Sequence, residues 1–93
     1  MDVRYSPDPV RFSRMTTQET RDSFLLESLF TPDVIEMTYV DVDRAIAGSA
    51  VPMNQTLSLT SADELRAEYF CQRRELGVLN IGGSGTVTVD GKA

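Results

Sequence analysis

Arg73-Arg74-Glu75 places two guanidinium groups and a carboxylate next to one another. A planar guanidinium grips a carboxylate through two parallel hydrogen bonds, so the pair suits a sugar acid. The same chemistry suits a salt bridge on the protein's own surface, the commoner use of such residues. Arg73, Arg74 and Glu75 are therefore weak substrate-contact candidates, and no residue is assignable as catalytic. Asp41-x-Asp43 has the type and spacing to hold a hard cation, but Asp in a turn bonds its own backbone just as readily. Asp63 and Glu64 sit at a predicted helix start, where negative charge is favoured without any catalytic duty. Gly82-Gly83-Ser84-Gly85 lacks the Lys-Ser/Thr and following helix of a phosphate loop, and reads as a hairpin loop.

The chain has no histidine and one cysteine, Cys71. Zinc and non-haem iron sites draw chiefly on those two residue types, so the sequence predicts no metal ligand and no bound cofactor. Ser-His-Asp and Cys-His nucleophiles are excluded on the same ground. Cys71 follows Tyr69-Phe70 and reads as a small buried hydrophobe, since nothing beside it would act as a base.

Ninety-three residues make one domain, with 41% apolar and 25% charged residues and a net charge of −5. An acidic chain without a basic cluster has no footprint for phosphate backbones, so nucleic-acid partners are not expected. The amino terminus is too polar for a signal peptide, and no apolar run reaches the roughly 20 residues of a membrane span. A cytoplasmic location without membrane attachment is the expectation.

The elements that must position these residues begin with an extended arm, residues 1–15, carrying Pro7 and Pro9 and offering one edge strand. Thr16-Thr17-Gln18-Glu19 is a capping box, and Phe24, Leu25, Leu26 and Leu29 follow at helical spacing. The spacing predicts a helix over 16–30, ended by Thr31-Pro32. Residues 34–93 read as β-rich. Ile35, Met37 and Tyr39 alternate with Glu36 and Thr38; Asp41-Val42-Asp43 is a turn. A second strand over 44–51 is interrupted at Gly48 and closed by Pro52. Thr56 to Leu59 alternates again. Ser61-Ala62-Asp63-Glu64 has the spacing of a second capping box, and Tyr69 to Gln72 reads as a strand. Val78–Ile81 and Thr86–Val89 are predicted to pair across the Gly-rich loop. Asp90-Gly91 is a type I′ turn signal, which normally starts a returning strand. Only Lys92 and Ala93 follow, so a strand missing from this sequence is expected beyond it.

The run Arg73-Arg74-Glu75-Leu76-Gly77-Val78-Leu79-Asn80-Ile81-Gly82-Gly83-Ser84-Gly85-Thr86-Val87-Thr88-Val89-Asp90-Gly91 closely resembles a stretch of the 5-keto-4-deoxyuronate isomerases. Met1-Asp2-Val3-Arg4, Phe24-Leu25-Leu26-Glu27-Ser28-Leu29-Phe30 and Asp43-Arg44-Ala45-Ile46-Ala47-Gly48 match the early part of that family in register. The stretch from about Ser58 to Glu68 is least similar. The resemblance implies a mainly β architecture: the amino-terminal part of a cupin-like (double-stranded β-helix) isomerase, with short antiparallel strands and one amino-terminal helix. It implies a zinc-dependent, homo-oligomeric enzyme of pectin and uronate breakdown. That enzyme would interconvert 5-dehydro-4-deoxy-D-glucuronate and 3-deoxy-D-glycero-2,5-hexodiulosonate. The family's zinc ligands are histidines and a glutamate in a later portion, which the 93 residues do not include. The chain alone is then expected to be inactive and to serve fold and assembly. Two other readings stand beside this one: a small module that binds acidic sugars through Arg73 and Arg74, and an oligomerisation domain.

Overall fold

The computed structural model describes residues 1–93. Three strands form one sheet: β1 (Asp2–Arg4), β2 (Ile35–Val40) and β3 (Ala45–Ala50), in that spatial order. β1 runs parallel to β2, with Val3 opposite Tyr39, and β2 runs antiparallel to β3, with Ile35 opposite Ala50. The sheet is therefore mixed, not the purely antiparallel arrangement the sequence suggested. A parallel neighbour needs a long crossover, and residues 5–34 supply it with two helices, α1 (Pro9–Phe12) and α2 (Thr17–Phe24).

The arm before Met15 is not simply extended. Asp8 caps α1 by accepting the Arg11 N–H at 2.8 Å, and Pro9 occupies the first helical position, where its missing donor costs nothing. The Phe12 and Phe24 rings then meet edge to face at 5.9 Å, joining α1 to α2. α2 opens as the sequence predicts. The Thr16 hydroxyl accepts the Glu19 N–H, and the Glu19 carboxylate accepts the Thr16 N–H, each at 3.1 Å. The Thr16 backbone N–H, and after it the Thr16 side chain, hold the exposed Glu19 carboxyl below its ordinary pKa.

The helix stops at Phe24, well before residue 30. Leu25 is extended, at φ −100° and ψ 129°. The Arg4 guanidinium on β1 donates to the carbonyls of Asp22 and Leu25, supplying partners that a further turn of helix would have provided.

β3 is unbroken at Gly48, which pairs with Met37. A Cβ at Gly48 would lie 2.7 Å from the carbonyl oxygen of Glu36, so this glycine permits close approach of two strands rather than interrupting one. The link between β2 and β3 is a 3-10 turn, Val42–Arg44, with Asp43 and Arg44 both in the left-handed region at φ 57° and 51°.

After β3 the chain forms no further strand. The Ser61 signature does not cap: Ala62 precedes a short 3-10 turn, Asp63–Leu65, without a side-chain bond. Its Ser61 hydroxyl is buried without a partner. Tyr69 to Gln72 is not a strand either. A third 3-10 turn, Phe70–Gln72, turns the Phe70 ring inward and leaves Cys71 exposed, the reverse of the buried thiol expected. The larger apolar side chain takes the interior position.

Thr38 on β2, Leu65 and Phe70 are the three buried residues. From Glu75 to Ala93 every residue is exposed. The hairpin expected between Val78–Ile81 and Thr86–Val89 is absent: no backbone group from Arg73 to Thr88 bonds to another. A lone two-stranded ribbon is marginal in water, and the four-residue Gly-Gly-Ser-Gly loop adds a large ordering entropy. The Asp90-Gly91 turn does form. Both residues have positive φ, and Val89 and Lys92 exchange hydrogen bonds of 2.7 and 2.9 Å. The molecule measures 49 × 28 × 19 Å, with a radius of gyration of 15.6 Å. A compact chain of this length would have about 12 Å. No helix is long and apolar enough to cross a membrane.

Candidate functional site

Arg73, Arg74 and Glu75 follow directly on the Phe70–Gln72 turn, and the turn separates their fates. The Arg74 guanidinium lies 5.7 Å from the centre of the buried Phe70 ring, a cation–π contact that partly covers it. Its Nε is shut off from solvent and has no partner. Arg73 and Glu75 are exposed, and no ion pair involves any of the three. None of the three lines the hollow beside α1 or the groove along β1 and β2.

A groove along the sheet lies elsewhere. It encloses about 460 Å³ along β1 and β2, between Leu26–Leu29 and Thr60–Ala62. Its charged lining is Asp2, Arg4, Glu27 and Glu36. Its one cationic side chain, Arg4, is already committed to Asp2 at 3.1 Å and to the end of α2, and the Met1 ammonium is turned to Glu64. The remaining charge is negative, so this groove is poorly suited to an acidic sugar. At its edge the amino-terminal nitrogen of Met1 approaches Glu64 at 3.8 Å.

Of the other carboxylates that drew attention, Asp41 holds the chain. Asp41 accepts the backbone N–H of Ser6 at 2.6 Å, tying the segment after β1 to the end of β2. Asp43 sits in the left-handed turn, beyond which Arg44 leads into β3. No three of the chain's Asp, Glu and Cys side chains converge as a metal would require. With no histidine and a solitary exposed Cys71, the residues present do not fit the zinc ion that the resemblance implies.

Two side chains matter more than their sequence context suggested. Arg4 is one. Asp33 is the other: its Oδ1 accepts the N–H groups of Met53 and Asn54, both at 2.8 Å, and its Oδ2 accepts the Asn54 side-chain amide at 3.0 Å. These bonds, with the Asn54 and Met53 backbone donors foremost, hold the Asp33 carboxyl below its ordinary pKa. The available signal was Thr-Pro-Asp, a turn in which Asp tolerates positive φ and bonds nearby backbone; its φ is 59°. Nothing in the sequence named residues 53 and 54 as its partners.

No family model matches the chain, and no solved structure matches it. Curated proteins do. The chain is 52% identical over 91 residues to the 4-deoxy-L-threo-5-hexosulose-uronate ketol-isomerase of Lachnoclostridium phytofermentans, a match covering 98% of this chain and 33% of the relative. It is 50% identical to the protein of that name from Formosa agariphila, over 97% of this chain and 32% of the relative. The one from Shouchella clausii is 48% identical, over 96% and 32%. The chain thus spans about a third of the length of the curated relatives it matches. Along nearly all of its 93 residues, this chain is similar to part of the 4-deoxy-L-threo-5-hexosulose-uronate ketol-isomerases.

Proposed function

We propose that these residues form the non-catalytic part of a uronate ketol-isomerase and serve its fold and assembly. The observation that carries this reading is the 52% identity across 98% of the chain to a protein of that name. At the same time the sequence supplies no histidine and a single cysteine, too few of the usual ligands for a zinc site. A ketol-isomerase must move a proton between neighbouring carbons and stabilise an enediolate. The groups for that work, and the zinc ion with them, would lie in polypeptide equivalent to the rest of the relatives' length. The substrate would be the sugar acid in the relatives' name, the architecture cupin-like, the assembly a homo-oligomer and the setting cytoplasmic.

The test is a hybrid in which these 93 residues replace the matching 91 residues of the Lachnoclostridium phytofermentans protein. The hybrid is expected to isomerise 4-deoxy-L-threo-5-hexosulose uronate within about tenfold of the parent rate, a barrier change of about 1.4 kcal/mol. The 93-residue chain alone, supplied with zinc, is expected to show none. A folded hybrid without activity, or turnover by the chain alone, would refute the proposal.

A further inference from the structure

The least settled surface of the molecule is the segment from Leu76 to Val89. It contains no charged residue and no proline. Its apolar side chains stand in water: Leu79 is 90% and Ile81 78% exposed, with Val78, Val87 and Val89 more than half exposed. Its backbone finds no backbone partner before Val89. The only internal bonds are local, from the Gly82 N–H to Asn80 Oδ1 and from the Asn80 amide to the Gly83 carbonyl, both 3.0 Å. Strand edges that face water in their working state carry lysine, proline or a bulge to discourage pairing. This one carries none of them.

The side-chain pattern also says how the segment is covered. In an extended chain Leu79 and Ile81 share one face, and Val87 and Val89 share one face. If the Gly82–Gly85 loop brought the two runs together, Ile81 would oppose Thr86 and Asn80 would oppose Val87. Leu79 and Ile81 would then lie on one side of the ribbon, and Val78, Val87 and Val89 on the other. Both faces would be apolar, as in a strand pair buried on two sides. A second copy offering the same ribbon would satisfy backbone groups along one edge and cover little else. Tyr5, Phe30, Met53 and Tyr69, all at least 60% exposed, would stay uncovered. The relatives are about three times as long as this chain, so each carries a large polypeptide with no counterpart here.

We propose that residues 78–89, which form no strand in this structure, become a β-ribbon on docking against the polypeptide equivalent to the other two thirds of the relatives. It is held by backbone pairing along its edges and by apolar contact on both faces. The chemistry is that of β-strand addition, and it is the same whether the partner is joined to this chain or separate. The inference rests on the proposed membership in a longer isomerase, and it adds the segment through which the two parts meet.

Amide hydrogen exchange, measured on the chain alone and on the hybrid described above, tests it separately from activity. In the chain alone, amides 78–88 are expected to exchange at close to unprotected rates. In the hybrid they are expected to slow by on the order of 100-fold or more, as amides of a paired, buried strand do. Protection in an active hybrid supports both proposals. Protection in a folded but inactive hybrid supports the docking segment and sinks the functional reading. An active hybrid whose 78–88 amides exchange as fast as in the free chain overturns the docking segment alone, and an inactive hybrid with fast amides overturns both. Concentration-dependent protection in the chain alone, equal to that in the hybrid, makes a second copy the partner and also overturns it.

Discussion

Asp33 binds Asn54 twice, accepting its backbone N–H at 2.8 Å through Oδ1 and its side-chain amide at 3.0 Å through Oδ2. The clamp joins the segment before β2 to the segment after β3, so it closes the open end of the β2–β3 pair. The Asp33 N–H adds a bond to the Val51 carbonyl at 2.7 Å. Because the bonds favour the charged form, the folded pKa lies below the ordinary aspartate value. The clamp's contribution is therefore complete above the unfolded pKa, about 3.9, and is lost as pH falls through the lower folded value. The Met53 and Asn54 amide resonances are expected to titrate together with a midpoint below that of a free aspartate. Asp33→Asn, which keeps an acceptor and tolerates positive φ, is expected to abolish the titration and raise exchange at both amides. A midpoint at the ordinary value would remove the clamp from the account.

Gly48 makes a sharper prediction because the obstacle is backbone. A methyl group there meets the Glu36 carbonyl oxygen at 2.7 Å and Met37 Cγ at 2.9 Å. The methionine can swing away, but the carbonyl belongs to β2 and cannot move without parting the strands. Gly48→Ala is expected to destabilise the hybrid by about 1–3 kcal/mol in urea denaturation. Gly77→Ala is the control, since a Cβ there meets nothing within 4 Å. Its effect is expected to stay within about 0.5 kcal/mol. Equal effects at both positions would show that the strands do not approach as described.

What the sequence disclosed and what it hid divide along a physical line. Thr16 and Glu19 lie three residues apart and complete their capping box locally, so the spacing alone announced it. Asp90-Gly91 likewise needs nothing beyond its own positive φ values. The end of α2 depended on Arg4, about twenty residues earlier, and no local pattern records that reach. The alternation of Ile35, Met37 and Tyr39 announced β2 but not its burial. Thr38, on the opposite face, is the residue buried, at the middle of the central strand between Asp2 of β1 and Ala47 of β3. Thr86 to Thr88 had every strand preference and stayed unpaired, since preference without a neighbouring edge makes no ladder. For the candidate site, residue type identified Arg73 and Arg74 as able to grip a carboxylate. Only the fold could report that Arg74 lies against Phe70 while the groove, remote in composition and acidic in lining, holds neither.

Arg4 carries the last prediction. Its guanidinium donates to the carbonyls of Asp22 and Leu25 while its Nε meets Asp2 at 3.1 Å, so one side chain on the edge strand fixes the end of α2 against the sheet. A cation at a helix C-terminus also answers the partial negative charge collected there. Arg4→Met keeps most of the stem and removes every donor. It is expected to cost about 1–2 kcal/mol in the hybrid and to speed exchange across Thr20–Phe24. Arg4→Lys is expected to recover only part of the loss, because a single ammonium nitrogen cannot keep both the carbonyl contacts made by Nη1 and the Asp2 contact made by Nε. Arg21→Gln supplies the comparison. That residue pairs with Glu27 at 2.8 Å, but both side chains are at least half exposed, and such pairs contribute little. If Arg4→Met proves no more costly than Arg21→Gln, the helix end is held by something other than Arg4. The early stop of α2 would then need a different cause, to be sought in Leu25 and the loop that follows it.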